Sequence, residues 1–330
     1  MTWFETLTGF SEESPDQVRA NLILEGRSLI SRVNGRTLIC GELETPSLAE
    51  LRQRVRASGH KAGKISVREV VGDVRKLHGD ASNAGALFQV ASQFNLLEMI
   101  SPRRTPELGV GIYENDRTQG PACAIAAGAG TIYRNYFAPV DGQIGQSASH
   151  QIDCLADLGE ALGNSGDRLW KMQNGYALAS EGGLLEISER LRTASEAERD
   201  ELRGLLRIGV QWGTQVTIED SDHAVSQVYG SALPVAYSPH APHLWSEFAQ
   251  LILEASYEAT FCAAILNPAK QGQERLFLTL LGGGAFGNET EWIFAGIRRA
   301  LDLCKETALD VRIVSCGSPN QDIQRIIRGQ

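Results

Sequence analysis

Gly282-Gly283-Gly284-Ala285-Phe286-Gly287 is the segment with the clearest chemical potential, because it satisfies G-x-G-x-x-G between an apolar strand expected over 275–281 and a helix expected from Asn288, its cap, to about Glu306. Glycines at a strand-to-helix turn let the backbone approach a ligand closely. The N–H groups they expose, with the positive helix end, suit a phosphate or diphosphate. A dinucleotide-binding unit would place an acid at the end of the next strand. Here that strand, Val311 to Cys316, runs into Gly317-Ser318, and no Gly-Lys-Ser/Thr supports a P-loop. Glu289 and Glu291 follow the loop, and their side chains must point away from any bound anion.

Other candidates are weaker. Gly128-Ala129-Gly130-Thr131 offers either a second cradle or close helix packing. His240 and His243 have H-x-x-H spacing but sit among two prolines without an evident third ligand, so no metal site is expected. The six cysteines are scattered without a C-x-x-C pair and read as buried thiols. Glu254 and Glu258 lie one turn apart and read as a solvated helix face. No cofactor is expected.

The elements that must position these residues alternate between strand and helix. Residues 28–40 read as a hairpin around Asn34-Gly35, a dipeptide favoured in type I′ turns. Ser47 with Glu50 forms a capping box for a helix carrying Leu48, Leu51 and Val55. Strands are expected over 65–71, 86–91, 108–113, 210–218 and 224–237, with an Ala-rich helix opened by Gly120-Pro121. Ser246 opens a long amphipathic helix that should stop at Asn267-Pro268. Six acidic and five basic residues between Glu186 and Arg207, with a capping box at Ser195 and Glu198, mark an inserted pair of solvated helices, without chemistry of its own. The last 60 residues form a βαβ-type unit.

The whole is an α/β fold with a central mixed sheet: an N-terminal hairpin-helix extension over 1–62, then one domain over 63–330 with the charged insert at about 150–207. At 330 residues the chain can bury a large core. A net charge of −9, from 40 Asp and Glu against 31 Lys and Arg, argues against broad binding to nucleic acid or an anionic membrane and favours a small-molecule partner. The absence of an apolar run near 20 residues, and of a signal-like start, leads to the expectation of a cytoplasmic protein. Oligomeric state is not readable from these features.

The ordered set Val71-Gly72-Asp73-Val74, Val90-Ala91-Ser92-Gln93-Phe94-Asn95 and Gly282 to Gly287, followed by a helix and a last strand, resembles the macrodomain and poly(ADP-ribose) glycohydrolase superfamily. The resemblance covers roughly residues 64–135 and 245–318 and implies a macrodomain-like three-layer fold. It implies a pocket for ADP-ribose or an ADP-ribosylated protein. Asp73 would accept from the adenine amino group and Val74 would add backbone contacts. Asn95 would bond the distal ribose. Gly283 to Gly287 would give N–H donors to the diphosphate, with Phe286 against the ribose. The family's Gln-Glu-Glu, which supplies the glycohydrolase acid, does not appear.

Breaking an ADP-ribosyl glycosidic bond passes through an oxocarbenium-like state and needs a carboxyl group beside the distal ribose. Glu114 and Asp116, in a polar loop that leads to a helix N-terminus, are the first candidates for that role. Glu98, three residues after Asn95, is another. The alternative implied by the missing Gln-Glu-Glu is a non-catalytic reader of ADP-ribose.

Overall fold

The computed structural model describes residues 1–328. Seven strands build its main sheet: β1 (Glu42–Glu44), β2 (Ser66–Val71), β3 (Leu87–Ala91), β4 (Gly209–Gln215), β5 (Ala224–Gly230), β6 (Arg275–Leu278) and β7 (Asp310–Ser315). In space they run β1-β4-β5-β3-β6-β7-β2. The pairs among β1, β4 and β5 are antiparallel, and every pair from β5 to β2 is parallel. Besides three short helices, Trp3–Thr8, Pro15–Asn21 and Ala156–Leu162, the described residues form α1 (Leu48–Ala57), α2 (Val74–Gly79), α3 (Gln119–Ala126), α4 (Gly128–Tyr136), α5 (Glu181–Thr193), α6 (Glu196–Leu205), α7 (Ser246–Gln271), α8 (Thr290–Cys304) and α9 (Gln321–Arg328).

Side-chain alternation along the strands sends helices to both faces. Gln227 of β5 donates to the Cys123 carbonyl of α3, whereas Gly230 packs on Ser256 of α7. The result is the expected three-layer α/β architecture. One buried apolar cluster spans both faces of the sheet, and a second joins the N-terminal extension to α3, α4 and the segment 97–113. Gly128 makes that second contact close, since a Cβ there would lie 2.7 Å from the Trp3 ring. Among the described residues no helix is long and apolar enough to cross a membrane.

Local signals with a backbone mechanism are realised. The Ser47/Glu50 and Ser195/Glu198 capping boxes form, and Asp73 caps α2 through the Arg75 amide at 2.8 Å. Strands Ser28–Ser31 and Thr37–Ile39 pair as a hairpin, with Leu22–Glu25 as a third strand. Their connection is wider than a two-residue type I′ turn, and only Gly35 of the Asn-Gly pair is left-handed, at φ 72°.

Three expectations change. Residues 108–113 are no strand: two 3-10 turns, Pro106–Leu108 and Gly111–Asn115, occupy the region because its amides are taken by a carboxylate described below. The long helix passes Pro268 and ends at Gly272, whose φ is 70°; one lost N–H is tolerated in the last turn, where Asn267 also donates to the Gly85 and Gln273 carbonyls. The charged helices of the insert are not merely solvated. Arg203 and Asp200 of α6 join Arg52, Glu254, Glu258 and Arg299 in one ion network across α1, α6, α7 and α8.

Glu258 therefore faces neither cleft nor bulk water. It is 8% exposed and serves both Arg52 and Arg299. Removing one member of a buried, hydrogen-bonded cluster leaves the opposite charges uncompensated. Glu258→Gln is expected to destabilise the fold by about 3 kcal/mol, measured by urea denaturation at neutral pH; a loss within ~0.5 kcal/mol, the range of exposed pairs, would show that the network is not cooperative.

Candidate active site

A crevice opens at the carboxyl ends of the parallel strands, where β3 and β6 part. They pair only at Leu276↔Leu87 and Phe277↔Phe88. Beyond that point two glutamine side chains take over the freed backbone groups. Gln119, the first residue of α3, accepts from the Ala91 amide at 2.9 Å and donates to the Gln89 carbonyl at 2.7 Å. Gln89 in turn accepts from the Thr279 amide at 3.2 Å. Buried backbone groups need partners, so these contacts let the sheet split without loss.

The crevice has two lobes that share Asp116, Gln119 and Thr279. The first, about 210 Å3, lies between the end of β3, the start of α3 and the glycine loop. The second, about 410 Å3, is walled by Asp73, Val74, Arg75, Ala122, Val314 and Cys316. The Arg75 guanidinium has its Nε buried without an acceptor among the described residues. Such a donor is costly unless a ligand meets it. Cys316 departs from the buried-thiol expectation, being exposed, while the other five cysteines are buried.

The glycine loop is pinned at its base. Tyr257 of α7 donates to the Thr279 carbonyl at 2.9 Å and accepts from the Leu281 amide at 2.8 Å. Asn288 donates to the Leu233 carbonyl at 2.8 Å, so it clasps the loop and does not cap the helix; α8 begins at Thr290, and Glu289 at the N-cap position makes no side-chain cap bond. Gly282 and Gly287 have φ of 77° and 68°, and a Cβ on either would meet Ala232 or Ala236 within 2.8 Å. Only glycine fits both places. The amides of Gly283 and Gly287 are spent inside the loop, on the Leu280 and Gly284 carbonyls. Those of Gly284, Ala285 and Phe286 meet no acceptor among the described residues, and all three residues line the first lobe. Across that lobe, the first-turn amides of Gln119 and Gly120 are likewise free at the positive end of α3. Two banks of N–H donors thus flank one cavity, a setting for a diphosphate.

Besides Asp73, three carboxylates line the crevice in different surroundings. Glu98 lines the first lobe, yet its side chain is 0% exposed, and Arg134 holds both its oxygens at 3.1 and 3.2 Å. Burial pushes the Glu98 carboxyl up to about 7, against the opposing pull of the Arg134 charge and the hydrogen bonds of Arg134 and Tyr113. Asp116 lines both lobes and accepts from the Thr118 amide at 2.8 Å. Glu114 lines only the second lobe and accepts from the Trp3 amide at 3.2 Å. The N-terminal extension grips this loop a second time. Glu12 accepts from the Val110 and Gly111 amides at 3.0 and 2.6 Å and from the Tyr136 hydroxyl at 2.6 Å. Burial raises the Glu12 carboxyl above its usual range, against those bonds.

Of the residues singled out in the sequence, Asp73, Val74, Asp116, Gly282, Gly284, Ala285 and Phe286 line the crevice, as does Glu114. Gly283 and Gly287 shape the loop from behind. Asn95 is elsewhere: fully buried, it donates to Gln151 at 2.8 Å, accepts from the Leu97 amide at 3.1 Å and packs under the Asn174-Gly175 turn of the insert. It therefore supports the insert and does not reach the cavity. Glu98 lies in an irregular segment, not at a helix start. Tyr176 is a site residue the sequence did not flag. It lies on a hairpin of the insert, Trp170–Gln173 with Tyr176–Ala179, and its ring packs with Tyr237 and Phe286 at 5.1 and 5.3 Å at one end of the first lobe.

No family model and no curated protein matches this sequence. Solved structures do. A poly(ADP-ribose) glycohydrolase from Deinococcus radiodurans in complex with ADP-ribose is 11% identical, with a TM-score of 0.42 over 87% of this chain and 92% of that one. The enzyme from Thermomonospora curvata bound to the inhibitor ADP-HPD is 13% identical, with a TM-score of 0.44 over 96% of this chain and 97% of that one.

A Cβ at Gly284 meets nothing within 4 Å and its φ is ordinary, so a side chain there leaves the fold intact and projects from the middle of the free amides. Gly284→Val is expected to lower affinity for ADP by at least ~10-fold in calorimetry while the melting temperature holds. Unchanged ADP binding in a folded variant would remove the loop from the site.

Proposed function

We propose that this protein binds ADP-ribose or an ADP-ribosyl group and hydrolyses the ADP-ribosyl glycosidic linkage. The observation that carries the reading is the pair of unpartnered amide banks facing one cavity beside a buried, protonatable carboxyl. A diphosphate between Gly284–Phe286 and Gln119–Gly120 meets free amides on both sides, and water excluded from the cavity strengthens each bond. The second lobe then takes the adenosine: Asp73 accepts from the amino group, Val74 offers backbone contact, and Arg75 donates to an acceptor of the base or ribose. Phe286 lies against the distal ribose.

Glu98 is the proton donor in this scheme. As the bond from C1″ to the leaving oxygen breaks, Glu98 gives that oxygen its proton, while water adds to C1″ and loses a proton to Asp116. A carboxyl in a dry pocket keeps its proton near neutral pH, which suits Glu98 to the donor's role. Glu114, tied to Trp3, holds the loop that carries Asp116. The leaving group is the modified side of an ADP-ribosylated protein or another ADP-ribosyl conjugate.

The donor must be protonated, so kcat falls as pH rises through about 7. Glu98→Gln is expected to cut kcat by roughly 100-fold or more while ADP-ribose affinity stays within about 3-fold. Asp116→Asn should also lose turnover. Unchanged turnover of an ADP-ribosylated substrate in both variants would overturn the assignment, and ADP-ribose binding by a wild type without turnover would identify a reader.

A further inference from the structure

A continuous chain of buried side chains runs away from Glu98 beneath the sheet, and the function proposed above does not use it. Arg134 of α4 is fully buried and engages all three guanidinium nitrogens: Nη2 on both Glu98 oxygens and on the Thr131 hydroxyl, Nη1 on the Tyr229 hydroxyl, and Nε on the Leu96 carbonyl at 2.9 Å. Tyr229 donates to Gln227 Oε1 at 2.7 Å, and its ring lies 3.7 Å from the guanidinium carbon. Gln227 donates to His78 Nε2 at 3.0 Å and to the Cys123 carbonyl at 2.9 Å. His78 closes the chain, with Nδ1 2.8 Å from the Val74 carbonyl.

The direction of every bond is fixed by chemistry. A carbonyl can only accept, so His78 carries its proton on Nδ1 and presents Nε2 as an acceptor. Gln227 then donates with nitrogen and accepts with oxygen, which compels the Tyr229 hydroxyl to donate to Gln227 and to accept from Arg134. No rotation of one member satisfies its neighbours better, so the guanidinium is locked from the side opposite Glu98. Leu96, whose carbonyl Arg134 also holds, has φ 64°, a left-handed conformation that is strained for a leucine. Arg134 therefore grips both the strained turn that delivers Glu98 and the carboxyl itself.

We propose that Arg134 and Tyr229 are positioning residues, which fix the place and the protonation of the Glu98 carboxyl through this one-way chain. The inference rests on the assignment of Glu98 as the acid. The groups facing Glu98 are Arg134 of α4, Tyr113 of the 3-10 turn, Tyr229 of β5 and Cys123 of α3. Of these Arg134 is the cation, and Tyr229 is its tether.

The test is a 13C-carboxyl NMR titration of Glu98, its signal identified by loss in Glu98→Gln, in the full chain and in Tyr229→Phe and Arg134→Lys. ADP-ribose affinity and the pH profile of kcat are measured beside it. Tyr229→Phe removes one hydroxyl and Arg134→Lys keeps the charge without the fork. Both are expected to move the Glu98 midpoint by at least ~0.5 pH units and to lower kcat about 10-fold, with affinity within about 3-fold. A Glu98 midpoint that stays at the wild-type value in both variants overturns the proposal, whatever turnover does. A moved midpoint without a matching shift of the kcat profile upholds the positioning and removes Glu98 from the chemistry.

Discussion

Strands β3 and β6 stay hydrogen-bonded for two residues, and the molecule is organised around their parting. A parallel sheet resists splitting because each freed amide and carbonyl must find another partner. Gln119 and Gln89 supply those partners from side chains. One consequence is the crevice itself, at the strand ends where open α/β sheets bind ligands. The other is that Gln119 fixes the start of α3 against β3, so the positive helix end faces the glycine loop across a single cavity. The loop's own shape is secured independently, by Tyr257 and Asn288.

Elements outside the sheet act on this crevice by holding its walls. The N-terminal extension reaches the acid loop through Glu12 and Trp3, and the inserted hairpin closes one end of the first lobe with Tyr176. Below the cavity, polar groups are buried to an unusual extent, yet those of the Glu98 chain are satisfied by one another. A buried network of that kind favours a single arrangement, since any partial break leaves a donor or a charge unpaired. The same burial raises Glu98 toward neutrality.

Features governed by neighbours in the chain were readable from the sequence. The glycine loop, both capping boxes and the outer strands of the βαβ unit depend on backbone conformation and short spacing, so residue types announce them. Features governed by distant neighbours were not. Residues 108–113 have strand-like composition, but Glu12 captures their amides. Asn95 looks like a strand-end ligand residue, but its amide is drawn to Gln151. Glu98 appears as one polar residue among apolar ones; its full burial against Arg134, 36 positions away, is what distinguishes it. Asn288 has the look of a helix cap until the Leu233 carbonyl, 55 residues back, claims it.

The proposed function requires the two lobes to accept one extended ligand, with a diphosphate between the amide banks and an adenosine in the second lobe. Isothermal titration calorimetry of the full chain with ADP-ribose, with AMP and NAD as comparators at one salt concentration, tests it most directly. ADP-ribose is expected to bind saturably and at least ~10-fold tighter than AMP, because AMP lacks the second phosphate and the distal ribose. Equal affinity for AMP and ADP-ribose, or no binding of any of the three, would contradict it.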